Sequence, residues 1–329
     1  MTRSINILAT GIVLLAAVPL AGQQRADSPG KIHVLKATPQ TVVLGYYDPK
    51  SKPVLKIKSG DTVEIQTLMA GSPQTLQNAL LPAEEVEQAL RDVHKEVLDK
   101  GPGGHILTGP IYIDGAAPGD TLEVRIKEIK LAIPYGFSGF IPKRGFLPED
   151  FDRRRTRIIR LDEKRMVGHF AKGIEIPLRP FFGCLGVAPP PEAGRISSGP
   201  PGVHAGNLDN KELVAGTTLY IPVHVPGALF AVGDGHAAQG NGEVCLTAIE
   251  TSRAESPTHT IVMGLDKDLT KATKQAVREA IDFLVKDKGL SSDEAYMLTS
   301  VAVDFCITQL VDGTLGVHGM IPKGIFQKK

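Results

Sequence analysis

Short segments in which apolar and polar residues alternate recur through most of this 329-residue chain, separated by turns rich in glycine and proline. Alternation with a period of two is typical of strands that bury one face. The chain contains 35 Gly and 24 Pro but no Trp, a composition that favours many turns and short strands over a helical bundle. We therefore predict a mainly β fold of the α+β class, with sandwich or barrel subdomains of short hairpins.

One turn-and-strand pattern occurs three times and predicts these hairpins. Residues 55–66 alternate on both sides of a turn at Asp61, and residues 109–129 do so around a turn at Asp120. Residues 212–223 repeat the pattern more loosely. Because an Asp side chain bonds nearby backbone amides, both aspartates are predicted to be turn residues. The three segments together predict a weak internal repeat of β-hairpins.

Helical spacing of apolar residues appears in two places. Residues 82–98 predict one helix, which ends before Gly101. In the last third, residues 269–289 predict a longer helix that ends at a glycine. Ser291 and Glu294 then fit a capping box that opens a second helix, and a strand follows.

The N-terminus predicts export. Residues 1–22 contain Arg3, an apolar run over 5–20 and small residues, which is typical of a secretory signal. The apolar run is short for a membrane span, so we predict a periplasmic or secreted protein without a stable span after cleavage, a retained anchor being the alternative. The remainder is predicted to divide into a β-rich body, 23–260, and a small C-terminal α/β element packed on it, 261–329.

The net charge bears on possible binding partners, and the cysteine count bears on possible disulfides. The formal net charge is +1, so electrostatics give no reason to expect nucleic acid as a partner. Three cysteines in an exported protein leave at least one thiol unpaired within the chain. Cys245 and Cys306 lie in apolar runs and are predicted to be small buried hydrophobes, while a disulfide between two of the three, Cys184 included, is left open.

The segment 221–250 concentrates the candidate functional residues. We predict a strand, a glycine-rich loop carrying Asp234, His236 and Gln239, and a second strand that begins at Glu243. The interleaved glycines let the backbone approach a ligand closely. An Asp and a His two residues apart, with a Glu seven residues further on, suit a divalent metal or acid–base site. A hairpin loop whose polar groups only face water is the alternative.

Further candidates lie outside this segment. His105 sits in a glycine-rich approach to a strand, and a turn-rich region before residue 221 contains His204, Asn207 and Asp209. Residues 131–160 combine Phe and Pro without a clear period, which predicts a long functional loop or lid.

On several longer motifs the chain resembles the acetamidase/formamidase family. The motifs cover nearly all of the mature chain: GYYDPKSKPVLKIKSGDTVEIQT, GGHILTGPIYIDGAAPGDTLEVRI, PLRPFFGCLGVAPP, AGNLD, PVHVPGALFAVGDGHAAQGNGEVC and DEAYMLTSVAVDFCITQLVDG. The segment DGHAAQGNGEVC is the most specific. The resemblance implies hydrolysis of a small linear amide to ammonia and a carboxylate, a divalent metal expected to be zinc, and a homo-oligomer (a dimer or higher). An exported member differs from enzymes of cytoplasmic nitrogen assimilation.

The resemblance also suggests roles for the candidates. Amide hydrolysis needs an activated water, a polarised carbonyl and a proton for the leaving ammonia; a zinc ion supplies the first two and a nearby carboxylate can move the proton. The hypothesis assigns Asp209, Asp234 and His236 as metal ligands, Glu243 as general base, His105 as a second catalytic residue, and Asn207 and Gln239 as substrate-binding residues. Glu243 is also open to a ligand role, and His204 is a reserve candidate.

A second hypothesis is an exported, non-catalytic β-rich protein that binds carbohydrate or a metal. The joint presence of a candidate base, Glu243, and candidate ligands, Asp234 and His236, favours the enzyme, because a structural metal site needs no base.

Overall fold

A computed structural model describes residues 30–250 and 259–326. The predicted signal, 1–22, lies outside the described residues. The strands are β1 (Ile32–Leu35), β2 (Val42–Leu44), β3 (Tyr46–Tyr47), β4 (Leu55–Lys58), β5 (Thr62–Ile65), β6 (Ile106–Asp114), β7 (Thr121–Arg125), β8 (Tyr135–Phe140), β9 (Arg155–Asp162), β10 (Val167–Ala171), β11 (Ile174–Pro177), β12 (Phe181–Gly186), β13 (Ile196–Ser197), β14 (Ala205–Asn207), β15 (Thr218–Pro222), β16 (Phe230–Ala238), β17 (Ile249–Glu250), β18 (His259–Asp266), β19 (Asp304–Gln309) and β20 (Leu315–Pro322). The α-helices are α1 (Pro73–Asn78), α2 (Gln88–Glu96), α3 (Leu269–Lys288) and α4 (Ser292–Ala302).

Most of these strands join one large sheet, which confirms the predicted mainly β fold. Its order is β11-β10-β9-β8-β17-β16-β12-β14, and β6 pairs with β16, β2 and β4. Along one edge β16 pairs with β12. Along its other edge it pairs with β6 as far as Gly233 and then with β17 from His236 onward. The sheet therefore branches at Asp234 and Gly235, which lie between the stretch of β16 paired with β6 and the stretch paired with β17.

The interior of β16 explains why a glycine-rich segment forms a strand here. Residues 231–238 are buried, and they are small apart from Asp234 and His236. A Cβ on Gly233 would lie 2.1 Å from the carbonyl oxygen of Ile106, so only glycine lets β6 pack this closely. The prediction of a loop for Asp234 and His236 was therefore wrong. The predicted strand at Glu243 was also wrong, because residues 239–248 form the connection between β16 and β17.

The hairpin predictions were correct for the turns and wrong for the pairing. The Asp61 carboxylate accepts hydrogen bonds from the backbone N–H of Lys58 and Lys31, and that of Asp120 accepts one from Ala117. The flanking strands pair elsewhere: β4 runs parallel to β6, β5 runs parallel to β1, and β7 pairs with β15. A local turn reverses or redirects the chain, but distant partners set the register.

The predicted helix over 82–98 is shorter in the structure. A single 3-10 turn, Ala83–Glu85, is followed by extended backbone at Val86 and then by α2. Val86 is buried in the core cluster that also receives Leu90 and Val93 of α2, and this packing interrupts the helix. Burying such aliphatic side chains stabilises the fold by about 1.5–3 kcal/mol each. Most of the stability of a helix in a protein comes from such packing, so burial of Val86 outweighs a continuous helix here.

Residues 131–160 do not form one long loop. They contain β8 and the start of β9, which pair with each other, so the irregular parts are residues 131–134 and 141–154.

The C-terminal unit, residues 259–326, forms as predicted. Helix α3 ends at Gly289 in the left-handed conformation, and Ser291 and Glu294 make the capping box of α4. The helices pack on a sheet of order β18-β20-β19. A Cβ on Gly264 would lie 2.0 Å from the carbonyl oxygen of Ala272, so glycine and alanine let α3 approach this sheet closely. The division of the chain at residue 260 stays a prediction.

All three cysteines are free thiols. Cys184 is fully buried, whereas Cys245 and Cys306 are only half-buried, contrary to the prediction for these two. Among the described helices, none combines the length and the apolar character needed to cross a membrane.

Candidate active site

The branch of the sheet at Asp234 brings three strands' polar residues together. His105 directly precedes β6, Asp234 and His236 lie on β16, and Glu250 ends β17. His236 Nε2 lies 3.4 Å from Asp234 Oδ2 and 3.2 Å from Glu250 Oε2. His105 Nε2 lies 3.7 Å from the same Asp234 oxygen. These side chains come together where β6 and β17 separate.

Two more predicted residues reach this centre from other segments. Asp209 follows β14, and its Oδ1 lies 4.0 Å from His236 Nε2. Glu243 comes from the β16–β17 connection and is buried. Ligand atoms of Asp209, His236 and Glu243 lie within 4.8 Å of one another, as do those of Asp234, His236 and Glu250. The structure therefore brings the three predicted metal ligands and the predicted base into one cluster.

The orientation of His236 is fixed from the opposite side of its ring. Its Nδ1 lies 2.9 Å from Gln239 Oε1, and Gln239 Nε2 donates to the Asp209 carbonyl oxygen at 2.7 Å. Since Oε1 can only accept, this geometry assigns the Nδ1 proton, and it leaves Nε2 directed at the carboxylates. Such a bond is how proteins set the tautomer of a metal-binding histidine. Both ends of the Gln239 amide thus bond protein groups, and its contact with substrate stays a prediction.

His105 is held in a similar way. Its Nδ1 lies 3.1 Å from the carbonyl oxygen and 3.0 Å from the hydroxyl of Ser198. The carbonyl can only accept, so Nδ1 carries a proton and Nε2 is presented to Asp234. His105 therefore lies in the site, as predicted.

Backbone conformation at the site is unusual for side chains of this size. Asp209, Asp234 and Glu243 have φ values of 45°, 56° and 45°, in the left-handed region. Non-glycine residues adopt this region infrequently. Such strain persists where the surrounding structure holds the residue in place, and it is concentrated at functional sites. Gly183 adds a steric condition, because a Cβ there would lie 2.4 Å from Asp234 Oδ2 and 2.5 Å from Asp209 Oδ1.

The site holds several buried carboxyl groups, and burial opposes the ionisation of all of them together. Burial, reinforced by neighbouring carboxylates, raises the pKa of Asp209 and Glu243 well above their ordinary values. Burial also raises the pKa of Glu250. Asp234 is the exception: burial opposes ionisation, but the charges of His105 and His236 outweigh it and lower the pKa of Asp234. The cluster therefore requires positive charge, supplied by protons or by a metal cation.

Several buried oxygens at the centre have no hydrogen-bond partner within the described structure. They are both carboxylate oxygens of Asp209 and the Oε2 atom of Glu250. The other oxygen of Glu250 accepts a bond from the backbone N–H of Ala248, which aims Oε2 at His236. Buried polar atoms are normally paired, so these oxygens, together with His236, form a group that could hold a metal ion.

Asn207 lies beside this centre and His204 does not. Asn207 Nδ2 donates to Asp312 Oδ2 at 3.1 Å, and Cys184 Sγ lies 3.2 Å from Asn207 Oδ1. Cys184 is within 4.0 Å of Asp234 Oδ2, and burial raises the pKa of its thiol well above the ordinary value. His204 instead packs its ring edge-on against Tyr47.

Sequence reasoning missed four residues of the site: Cys184 as a neighbour of Asp234, Ser198, Glu250 and Asp312. Glu250 carried a weak signal, because it is an ionisable residue directly after an apolar run. Asp312 carried none, since it lies more than 100 positions after Asn207 along the chain.

Comparison with known proteins identifies related sequences and structures. The sequence profile of the Acetamidase/Formamidase family matches residues 36–198 and 192–256. The chain is 28% identical over 261 residues to a formamidase of Methylophilus methylotrophus, a match that covers 58% of this chain and 61% of that protein. Matches of this chain span between 47% and 61% of the length of its curated relatives.

Solved structures match over more of their length. An acetamidase from Yersinia enterocolitica superposes with a TM-score of 0.76 and 29% identity, covering 92% of this chain and 95% of that one. An acetamidase from Bacillus halodurans gives a TM-score of 0.73 and 29% identity over 89% and 98% of the two chains. The family profile spans well over half of the sequence. This chain therefore belongs to the Acetamidase/Formamidase family.

Proposed function

We propose that this protein is a metal-dependent amidase that hydrolyses a small linear amide, of formamide or acetamide type, to ammonia and a carboxylate. The observation that carries the proposal is the convergence of unpaired, buried oxygens of Asp209 and Glu250 on His236. Membership of a family named for acetamidase and formamidase supports the same reaction.

The residues present fit a divalent cation. Leaving a buried polar atom unpaired costs about 1–3 kcal/mol, and a cation among these oxygens would remove that cost. The donor set of one imidazole nitrogen and several carboxylate oxygens suits zinc. We propose that His236, Asp234 and Asp209 hold the ion, and that Glu250 is a fourth candidate ligand on the basis of its distance to His236. The absence of a side chain at Gly183 keeps space beside Asp209 and Asp234.

When bound, a zinc ion lowers the pKa of a coordinated water to about 7 and polarises a carbonyl group. The chain's own residues supply the proton transfers and the orientation. Glu243 takes a proton from the attacking water and delivers it to the amide nitrogen, and burial raises the pKa of this carboxylate. His105, fixed through Ser198, directs Nε2 into the site to hold the amide group. Asn207 offers its second amide hydrogen to the substrate carbonyl oxygen.

The test is ammonia release from formamide, acetamide and propionamide by the purified mature protein, combined with metal analysis before and after chelation. We expect release that is lost on chelation and restored by zinc, with the chain-length profile reporting the size of the pocket. Release that is unchanged after complete metal removal would refute metal dependence. Bound metal without release from any of the three amides would favour the non-catalytic binding protein.

We also propose, from the sequence of residues 1–22, that the protein is exported, and from the family resemblance that it forms homo-oligomers. N-terminal sequencing of the protein from a periplasmic or culture fraction should find a start close to residue 23. A cytoplasmic, full-length product would contradict export. Light scattering on the mature protein tests the oligomer, and a monomer at all concentrations would contradict it.

A further inference from the structure

The C-terminal unit reaches the candidate site through one turn. Asp312 lies in the connection between β19 and β20, and its Oδ2 accepts the hydrogen bond from Asn207 Nδ2. The family profile matches residues 36–256, so this turn lies beyond the matched part of the chain. Asp312, in the C-terminal unit, is thus in direct contact with a candidate residue of the site.

The contacts of Asn207 fix which way its amide faces. Cys184 is a thiol that can donate to Oδ1, and Asp312 is a carboxylate that accepts from Nδ2. Both partners demand the same orientation, so a flipped amide would lose both bonds. One Nδ2 hydrogen remains for a substrate oxygen. Asn207 is 2% exposed, so no bulk water competes for this orientation.

The turn that presents Asp312 is itself held rigidly. Gln309, which is fully buried, accepts hydrogen bonds through Oε1 from the backbone N–H groups of Val311 and Asp312, at 3.0 and 3.2 Å. Its Nε2 donates to the carbonyl oxygen of Thr314. The Gln309 side chain thus bonds both arms of the turn, and these bonds hold the Asp312 backbone in place.

The same unit is tied to the connection that carries the proposed base. Gly242, the residue before Glu243, donates from its N–H to the Thr308 carbonyl oxygen at 3.1 Å. Its own carbonyl oxygen accepts from the N–H of Leu310 at 3.2 Å. Strand β19 and its turn therefore contact two segments of the site, at Gly242, the neighbour of Glu243, and at Asn207.

We propose that the C-terminal unit completes the active site, with Asp312 as a positioning residue that orients the Asn207 amide toward the substrate and Gln309 as the residue that places Asp312. The role in substrate orientation rests on the proposed amidase function. Asp312 acts through Asn207, so substituting Asp312 should have little further effect on the site once Asn207 has been removed.

A double-mutant cycle tests this. The variants are Asp312→Ala, Asn207→Ala and the pair, assayed for kcat/KM on the best amide substrate and for urea unfolding of the metal-free protein. Asp312→Ala is expected to lower kcat/KM about 10- to 100-fold, and to add less than about twofold when Asn207 is already alanine. Asp312→Asn, which can still accept through its oxygen, should recover part of the loss. Asp304→Ala is the matched control, because Asp304 is an exposed carboxylate at the far end of β19.

The outcomes separate this inference from the proposed function. Full kinetic additivity of the two substitutions in an active enzyme overturns the positioning role, even if the unfolding cycle shows coupling. A wild-type protein that cleaves no amide refutes the proposed function; coupling in the unfolding cycle would then still support Asp312 as the residue that orients Asn207, and its absence would overturn that too.

Discussion

His236 and Gln239 are three residues apart, and the 2.9 Å contact between Nδ1 and Oε1 determines which nitrogen of the histidine faces the carboxylates. The contact is available because β16 ends at Ala238, so the chain turns and Gln239 folds back beside the ring. The same amide donates to the Asp209 backbone, which links the strand that carries His236 to the loop that carries Asp209. One side chain thus aligns two proposed ligands.

Gln239→Ala should therefore weaken metal binding by about 10- to 100-fold, the usual effect of removing a partner that orients a ligating histidine. The affinity can be measured by zinc competition with a chromophoric chelator. Gln74→Ala serves as the control, because Gln74 is exposed on α1 and its side-chain amide donates to Asn78 on the same helix, away from the candidate site. Unchanged affinity in Gln239→Ala would show that His236 needs no such support.

Glu243→Gln should reduce kcat by about 10²- to 10⁴-fold, since glutamine cannot carry the proton. Metal content should stay at the wild-type level, because His236, Asp234 and Asp209 remain. The control is Glu279→Gln on the exposed face of α3. Turnover that survives in Glu243→Gln would remove Glu243 as the base, and loss of the metal together with turnover would make it a ligand.

Gly183→Ala should disrupt the site without altering any of its functional groups. The added Cβ would lie within 2.5 Å of Asp209 and closer still to Asp234, in the middle of a paired strand that cannot shift freely. We expect a loss of about 1–3 kcal/mol in unfolding free energy together with loss of bound metal. Gly324→Ala, where the new methyl group meets nothing within 4 Å, is the matched control. Normal metal content in Gly183→Ala would show that the proposed ligands tolerate displacement.

Acid should destabilise the protein partly through His318. This buried residue bonds Thr308, and burial lowers its pKa from 6.5 to about 4. A histidine with a depressed folded pKa binds its proton mainly in the unfolded state, so the stability from this group is complete above pH 6.5 and is lost as the pH falls toward 4. The loss between pH 6.5 and pH 5 is about 2 kcal/mol.

Urea unfolding of wild type and His318→Asn at several pH values measures this contribution. The variant should show a flatter dependence on pH than the wild type below pH 6.5, whatever its absolute stability. His169→Asn, at an exposed histidine that contacts Glu175, is the comparison variant. Equal slopes in wild type and His318→Asn would mean that His318 is not responsible.

The sequence predicted the features that depend on neighbours along the chain. The capping box at Ser291 and Glu294, the left-handed glycine at 289 and the turns at Asp61 and Asp120 all form as predicted, because each is decided by hydrogen bonds within a few residues. The proximity of Asp234 to His236 was also predicted, since the two are only two residues apart, although the strand that carries them was predicted as a loop.

What only the tertiary structure decided is which segments meet. The sequence alone determined a mainly β chain with its local turns and caps, and it indicated most of the polar residues of the candidate site. The branch of the sheet at Asp234, the approach of Glu250 to His236 and the contact of Asp312 with Asn207 depend on strand partners far apart in the chain. An alternating apolar pattern predicts that a strand buries one face. It does not predict which strand lies beside it, because many partners of suitable shape would bury that face.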